Sequence, residues 1–205
     1  MTPTSISLLD RARIDSTSDA WRELIEMYTP LLHSWMNRYS LQVSDRDDFV
    51  QEVMLAVTRE LPHFEHSGQI GAFRKWLKTI LVHRLQNAWR SRARRPEVKG
   101  GSSFLDDLKQ LEDDASELSH LWNVEHDRHV LSRLLLKIQP RFEERTWRAF
   151  QQVMFEGRKT CDVAVALGVS LKAVHLAKSR VLRALRLEAC GLVSNSNSGS
   201  ISEDL

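Results

Sequence analysis

Three stretches of the chain combine side-chain types and spacings that could do chemistry, and in each the chemistry is non-covalent. The most specific is "TCDVAVALGVSLKAVHLAKSRVLRALR", residues 160–186. Thr160 is placed to cap a short helix whose apolar face is Val163, Ala164 and Leu167. Gly168 supplies a tight turn, Val169 plugs the core, and Ser170 caps a second helix. That helix repeats Val174, Ala177, Val181 and Leu185 at helical spacing. Lys172, His175, Lys178, Ser179, Arg180, Arg183 and Arg186 take the remaining surface, with no acid between Val163 and Leu187. One apolar stripe on an otherwise cationic helix suits a DNA major groove. Lys172, His175 and Ser179 are the residues expected nearest the bases. Arg180, Arg183 and Arg186 suit phosphate contacts, which orient a helix without reading sequence.

The second stretch, "GAFRKWLKTILVHRLQNAWRSRARR" (residues 71–95), carries 8 basic and no acidic side chains. It interleaves those cations with aromatics, as a surface for single-stranded nucleic acid does. Arg74, Lys75, Lys78 and Arg90 are the expected backbone contacts and Trp89 the expected stacking platform, whereas Phe73 and Trp76 read as core. The loop before it, "HFEHSGQIGA", brings His63, Phe64, Ser67, Gly68 and Gln69 together as a pocket that could take an unstacked base. His63 and His66 lack further ligands at metal spacing. The third stretch, "SDRDDFVQEVMLAV" (Ser44–Val57), turns Phe49, Val53, Val57 and either Met54 or Leu55 inward. Asp45, Asp48, Gln51 and Glu52 lie on or beside its outer face. Such a face repels DNA but can hold a basic protein surface through charge-assisted hydrogen bonds.

Enzyme chemistry finds little support. No glycine-rich phosphate loop, metal-ligand set or nucleophile–base pairing occurs in motif context, and no cofactor is expected. Asp48 and Glu52 share a helix face at i, i+4, but partner ligands at matching spacing are missing.

The elements that must position these stretches all read as helical. In "DAWRELIEMYTPLLHSWMNRY", Trp21, Leu24, Ile25, Tyr28, Leu31, Leu32, Trp35 and Met36 recur at helical spacing, with a kink or break expected at Pro30. Ser44 is the expected N-cap of a helix running to about Leu61 and stopped by Pro62. A third helix is expected from Ala72 to about Arg94. Residues 96–130 carry 3 basic and 9 acidic side chains and open with "KGGSS", which reads as a mobile acidic linker. A short helix around Phe104–Leu111 stays open there. Helical signal returns from about Glu125 to Arg186, and "GLVSNSNSGSISEDL" reads as a disordered tail.

The expected fold class is therefore all-α: two small helical domains, residues 1–95 and 131–190, joined by a flexible linker at 96–130 and followed by a tail at 191–205. No apolar run reaches the roughly 18 residues of a membrane span. No signal peptide opens the chain, and Cys161 and Cys190 are too few for a disulfide framework. A cytoplasmic protein without membrane insertion is the expectation.

Taken together, the motifs resemble those of the extracytoplasmic function (ECF, group 4) sigma factors of the sigma-70 family, bacterial promoter-specificity subunits. "DDFVQEVM" is similar to the signature of conserved region 2.2, "GAFRKWLKTILVHRLQNAWRSRARR" looks like regions 2.3 and 2.4, and "TCDVAVALGVSLKAVHLAKSRVLRALR" looks like region 4.2. The resemblance covers roughly residues 20–95 and 131–187, in the family's order. It implies a sigma-2-like domain binding core RNA polymerase and the −10 element, and a sigma-4-like helix-turn-helix domain binding the −35 element. Asp45, Asp48, Phe49, Gln51 and Glu52 would then contact the β′ clamp helices, and the β flap would be a second polymerase contact. The linker would lie in the polymerase active-site and RNA-exit channels. The family commonly has Asn where this chain has His83 and Asp where it has Asn87, so promoter-opening details do not carry over there. An anti-sigma factor is a further partner the family allows, although no dedicated docking motif is visible. The competing reading is a conventional helix-turn-helix regulator binding duplex DNA without polymerase. It accounts for residues 131–190 but not for the basic-aromatic block or the acidic helix before it.

Overall fold

The computed structural model describes residues 8–15, 17–39, 42–65, 67, 69, 71–92, 101–189 and 192. Gly68, His66, Arg94, Arg95, Cys190, the first residues of the expected linker (96–100) and, apart from Leu192, the expected tail lie outside the described residues. Among those described, the chain is all-helical, with nine α-helices and no strand. Their contacts divide them between Val130 and Leu131 into two compact units.

The first unit begins with α1 (Leu8–Ile14) and α2 (Asp19–Met36). Ser18 starts α2, its hydroxyl accepting a hydrogen bond from the Trp21 N–H at 3.2 Å. Leu24, Tyr28, Leu32 and Trp35 form the buried stripe of α2. Of the kink or break expected at Pro30, the break is absent: α2 continues for six residues beyond it, to Met36. The ring forfeits one backbone bond, but buried side chains on both flanks hold the turn, and Pro30 itself faces solvent.

Helix α3 (Val43–Glu60) starts one residue before Ser44, with Gln42 in the cap position and no side-chain cap bond. Ser44 is thus inside the first turn rather than at the cap. A 3-10 turn, Leu61–His63, carries the proline that ends α3. Helix α4 (Ala72–Arg92) follows, burying Phe73, Leu77, Ile80, Leu81 and Leu85 as its periodicity predicts.

The expected flexible linker is the main departure. Residues 101–112 form α5 (Gly101–Glu112) and residues 117–138 form α6 (Glu117–Ile138), and everything described up to Val130 belongs to the first unit. Leu108, Leu111, Trp122, His126 and Val130 are buried. Trp122 meets Trp35 edge-on, with centroids 5.0 Å apart. The Tyr28 hydroxyl and His126 Nε2 lie 3.2 Å apart. Asp106, Glu112 and Glu117 are exposed on α5 and α6, and the buried residues recur at helical spacing on the inner side. Charge alone made the segment read as solvated.

The second unit consists of the end of α6, a 3-10 turn (Gln139–Arg141), α7 (Glu144–Met154), α8 (Thr160–Leu167) and α9 (Leu171–Ala189). Its core has two parts, one of Ala149, Val163, Ala164, Val174 and Ala177, the other of Ile138, Trp147, Phe150 and Val181. Glu188, near the end of α9, pairs with Lys137 at 2.8 Å and Arg141 at 2.7 Å. Those two bonds tie α9 to the start of the unit.

Candidate nucleic-acid interface

The two helices of the most specific motif are present, with one change at the cap. Lys159, not Thr160, holds the N-cap position of α8, without a side-chain bond. Gly168 ends α8 at φ 62°, ψ 40°, a left-handed conformation that suits glycine. The Val169 N–H reaches back to the Ala164 carbonyl at 3.0 Å, closing the helix end as a Schellman motif does. Ser170 then caps α9 as expected, its hydroxyl accepting from the Ala173 N–H at 3.2 Å. The axes of α8 and α9 turn by 107° at this break, within the range for a DNA-reading helix pair.

At ~100° per residue, Lys172, His175, Ser179, Arg183 and Arg186 fall within an arc of about 80° on α9. All five are exposed. Arg180 lies about 60° beyond one edge of that arc. Lys178 lies about 60° beyond the other edge and is half-buried. Leu176, absent from the expected DNA contacts, is 46% exposed and lies about 20° beyond that arc. Its signal was an apolar residue outside the Val174–Ala177–Val181 stripe.

On α3, Asp48, Gln51 and Glu52 are exposed and share one face. Leu55, 55% exposed, stands among them, so Met54 rather than Leu55 turns inward. Asp45 is half-buried beside this face. Phe49 is 2% exposed and cannot touch a partner, because its ring lies on the inner side of α3. It positions the acidic face instead.

Around the start of α4 the structure forms a cavity of about 380 Å³. Phe64, Ser67 and Gln69 line it, as expected of a base pocket, and so do Arg74, Lys75, Trp76 and Lys78. Trp76, assigned to the core by spacing, lies against Phe64 with centroids 4.9 Å apart and keeps part of its ring in this cavity. His63 is exposed on the 3-10 turn and is not part of the lining. Trp89 and Arg90 are about four turns farther along α4, roughly 20 Å from the cavity at 1.5 Å per residue. They form no single site with it. His83 and Asn87 are both exposed on α4.

The cations of the cavity are already engaged. The Lys78 side chain is only 4% exposed, and its ammonium donates to Asp114 at 2.7 Å and Ser119 at 2.5 Å. In the folded unit it cannot contact a DNA backbone, contrary to expectation, because a turn and helix 36–41 residues later close over it. Lys75, still largely exposed, also pairs with Asp114. Hydrogen bonds from Lys75 and Lys78 hold the Asp114 carboxyl down to about 2.

Arg74 pairs with Asp127 at 2.5 Å. Its guanidinium folds over Gly71, whose φ of 78° and bare Cα leave the room: a Cβ there would stand 2.7 Å from the guanidinium nitrogen. Burial works to raise the Asp127 pKa, but hydrogen bonds from His126 and Arg74 bring it below the ordinary value. His126, placed between Tyr28 and Asp127, is pushed down by burial against the opposing pull of Asp127. Asp114 and Asn123, which complete the cavity wall, come from the segment read as linker and had no sequence signal as site residues.

Residues 24–95 match the family model for Sigma-70 region 2. This match, spanning α2 to α4, supports a sigma-70-family sigma factor with a role in transcription initiation, a class that binds core RNA polymerase and promoter DNA. A search of curated proteins finds no match to the chain. Among the described residues no single helix is long and apolar enough to cross a membrane.

Proposed function

We propose that the protein is an ECF-type sigma factor that docks on core RNA polymerase through α3 and reads promoter DNA with α4 and α9. The observation that carries this reading is the order of three surfaces along one chain. The acidic-amide face of α3 lies inside the region matched by Sigma-70 region 2, the aromatic-cationic cavity stands at the start of α4, and a cationic helix crosses α8 at 107°.

Each surface has a physical role. Asp48, Gln51 and Glu52 encircle the exposed Leu55, an apolar centre with a charged rim of the kind that docks on a basic helix pair such as the β′ clamp helices. In the cavity, Phe64 and Trp76 provide ring surface for an unstacked base of the −10 element, with Ser67 and Gln69 at its polar edge. Gly68, expected in the same loop, is retained as part of this proposal. Arg90 and Trp89 would hold the strand farther along α4. On α9, Lys172, His175 and Ser179 face base edges of the −35 element. Leu176 suits a thymine methyl group, and Arg183 and Arg186 hold phosphates. The β flap is the expected contact of the second unit, and an anti-sigma factor would be a regulator of either unit.

The test is charge reversal on α3. Asp48→Lys combined with Glu52→Lys should abolish co-elution with bacterial core RNA polymerase while leaving the circular dichroism melt unchanged. Undiminished co-elution would remove α3 from the interface. The alternative, a duplex-binding regulator independent of polymerase, predicts no effect of these changes on any activity.

A further inference from the structure

Two carboxylates, one from the turn after α5 and one from α6, engage the three cations at the start of α4. Asp114 neutralises Lys75 and Lys78, and Asp127 neutralises Arg74. These three cations line the 380 Å³ cavity, and Asp114 forms part of its wall. The carboxylates are held in place rather than loosely solvated. The Asp113 carboxylate accepts from the Ala115 N–H at 3.0 Å and shapes the turn that presents Asp114. Ser116 starts α6 by accepting from the Ser119 N–H at 3.0 Å. His126 sits 3.0 Å from the other oxygen of Asp127 and orients it towards Arg74.

We infer that Asp114 and Asp127 act as a built-in competitor for phosphate at Arg74, Lys75 and Lys78, so that the free protein keeps its single-strand-binding cavity masked. The inference rests on the proposed role of α4 in holding single-stranded DNA. A carboxylate pair bonded to three cations presents the charge and acceptor geometry of a nucleotide backbone, and a strand entering the cavity must displace it. The masking is reversible on energetic grounds. Lys75 and Asp114 are both more than half exposed, and exposed ion pairs exchange readily with other ligands. Lys78 is too deeply held to be released without moving the Asp114 turn, so unmasking means lifting residues 113–116 away from α4. Promoter selectivity follows: the free protein ignores single-stranded DNA until binding to its partner or strand capture removes the acidic turn.

The experiment compares purified full-length variants on a short fluorescent single-stranded oligodeoxynucleotide across a salt series. Asp114→Asn with Asp127→Asn removes the competitor. Glu26→Gln with Glu117→Gln changes the net charge equally outside the cavity, since both side chains are exposed and neither lines it. The cavity pair of changes should tighten binding roughly tenfold at 0.1 M salt and steepen the salt slope by about 0.7 per liberated contact, and the control pair should do neither. Equal gains in both, or no gain in the cavity variant, overturn the inference. Asp114→Asn alone, which leaves the Arg74–Asp127–His126 chain intact, carries the same comparison should the double variant melt early. Co-elution of the unaltered protein with core polymerase tests the underlying reading separately, so either idea can fail without the other.

Discussion

Replacing Trp122 with alanine tests whether residues 101–130 are part of the first unit's core. Trp122 is fully buried, with Trp35 at 5.0 Å and His126 at 6.3 Å between ring centroids. A buried tryptophan removes about 150–250 Å² from water, which at ~25 cal/mol per Å² corresponds to about 4–6 kcal/mol. Measured truncations of this kind cost about 3–5 kcal/mol. The lower end is favoured here, because the indole N–H finds no partner among the described residues and its removal relieves part of the loss. Trp122→Ala should therefore cost about 3 kcal/mol in urea denaturation, and Trp122→Phe only about 1 kcal/mol by the same reasoning. Hydrogen exchange supplies the second readout: amides of α5 and the first half of α6 should lose protection together with α2. Trp147, the one tryptophan between residues 131 and 190, reports a second-unit transition that stays in place. An unchanged urea midpoint with α5 already unprotected in the unaltered protein would refute the docking and restore the mobile-linker picture.

Three further outcomes are expected. Arg183→Ala should weaken binding to all duplexes alike and reduce the salt slope by about 0.9; an effect confined to one base position would make Arg183 a reader instead. Gly168→Ala should lower the second unit's stability by about 1–2 kcal/mol, since the left-handed backbone penalises a Cβ although the surrounding space is open; an unchanged melting temperature would contradict the strain argument. With pH, the first unit should lose stability in two steps. Burial lowers the His126 pKa from 6.5, so below that value the unfolded chain takes up a proton that the folded unit resists, and stability falls. The Asp114 carboxyl is held at about 2 against an ordinary 3.8, so its contribution is present above about 3.8 and lost as pH falls towards 2. In urea midpoints measured against pH, His126→Gln should flatten the first step and spare the second.

Much of this architecture was legible in the sequence because periodicity and turn chemistry act locally. The α4 stripe, the Gly168 turn and the Ser170 cap each rest on residues within a few positions of one another. The departures arise where distant residues decide the outcome. Residues 101–130 look solvated because acids such as Asp106, Glu112 and Glu117 stand on their exposed side, and the spacing of Leu108, Leu111, Trp122 and His126 becomes informative only when Trp35 and Tyr28 are there to receive them. Lys78 reads as a solvent-facing cation on α4 until Asp114 and Ser119 close over it. Ser44 and Thr160 are good capping residues that fall two and one positions after the actual caps, since Gln42 and Lys159 already adopt the extended backbone of a cap. Trp76 looked like core because its spacing matches Phe73 and Ile80, yet the cavity at the start of α4 leaves part of its ring open.

The proposal that one chain joins core RNA polymerase to promoter DNA is tested most directly by transcription. Purified protein added to core polymerase on a template melted across its start site should co-elute with the enzyme and yield a transcript of defined start. A protein that leaves the core enzyme inactive and unbound, while binding duplex DNA by itself, would contradict the claim.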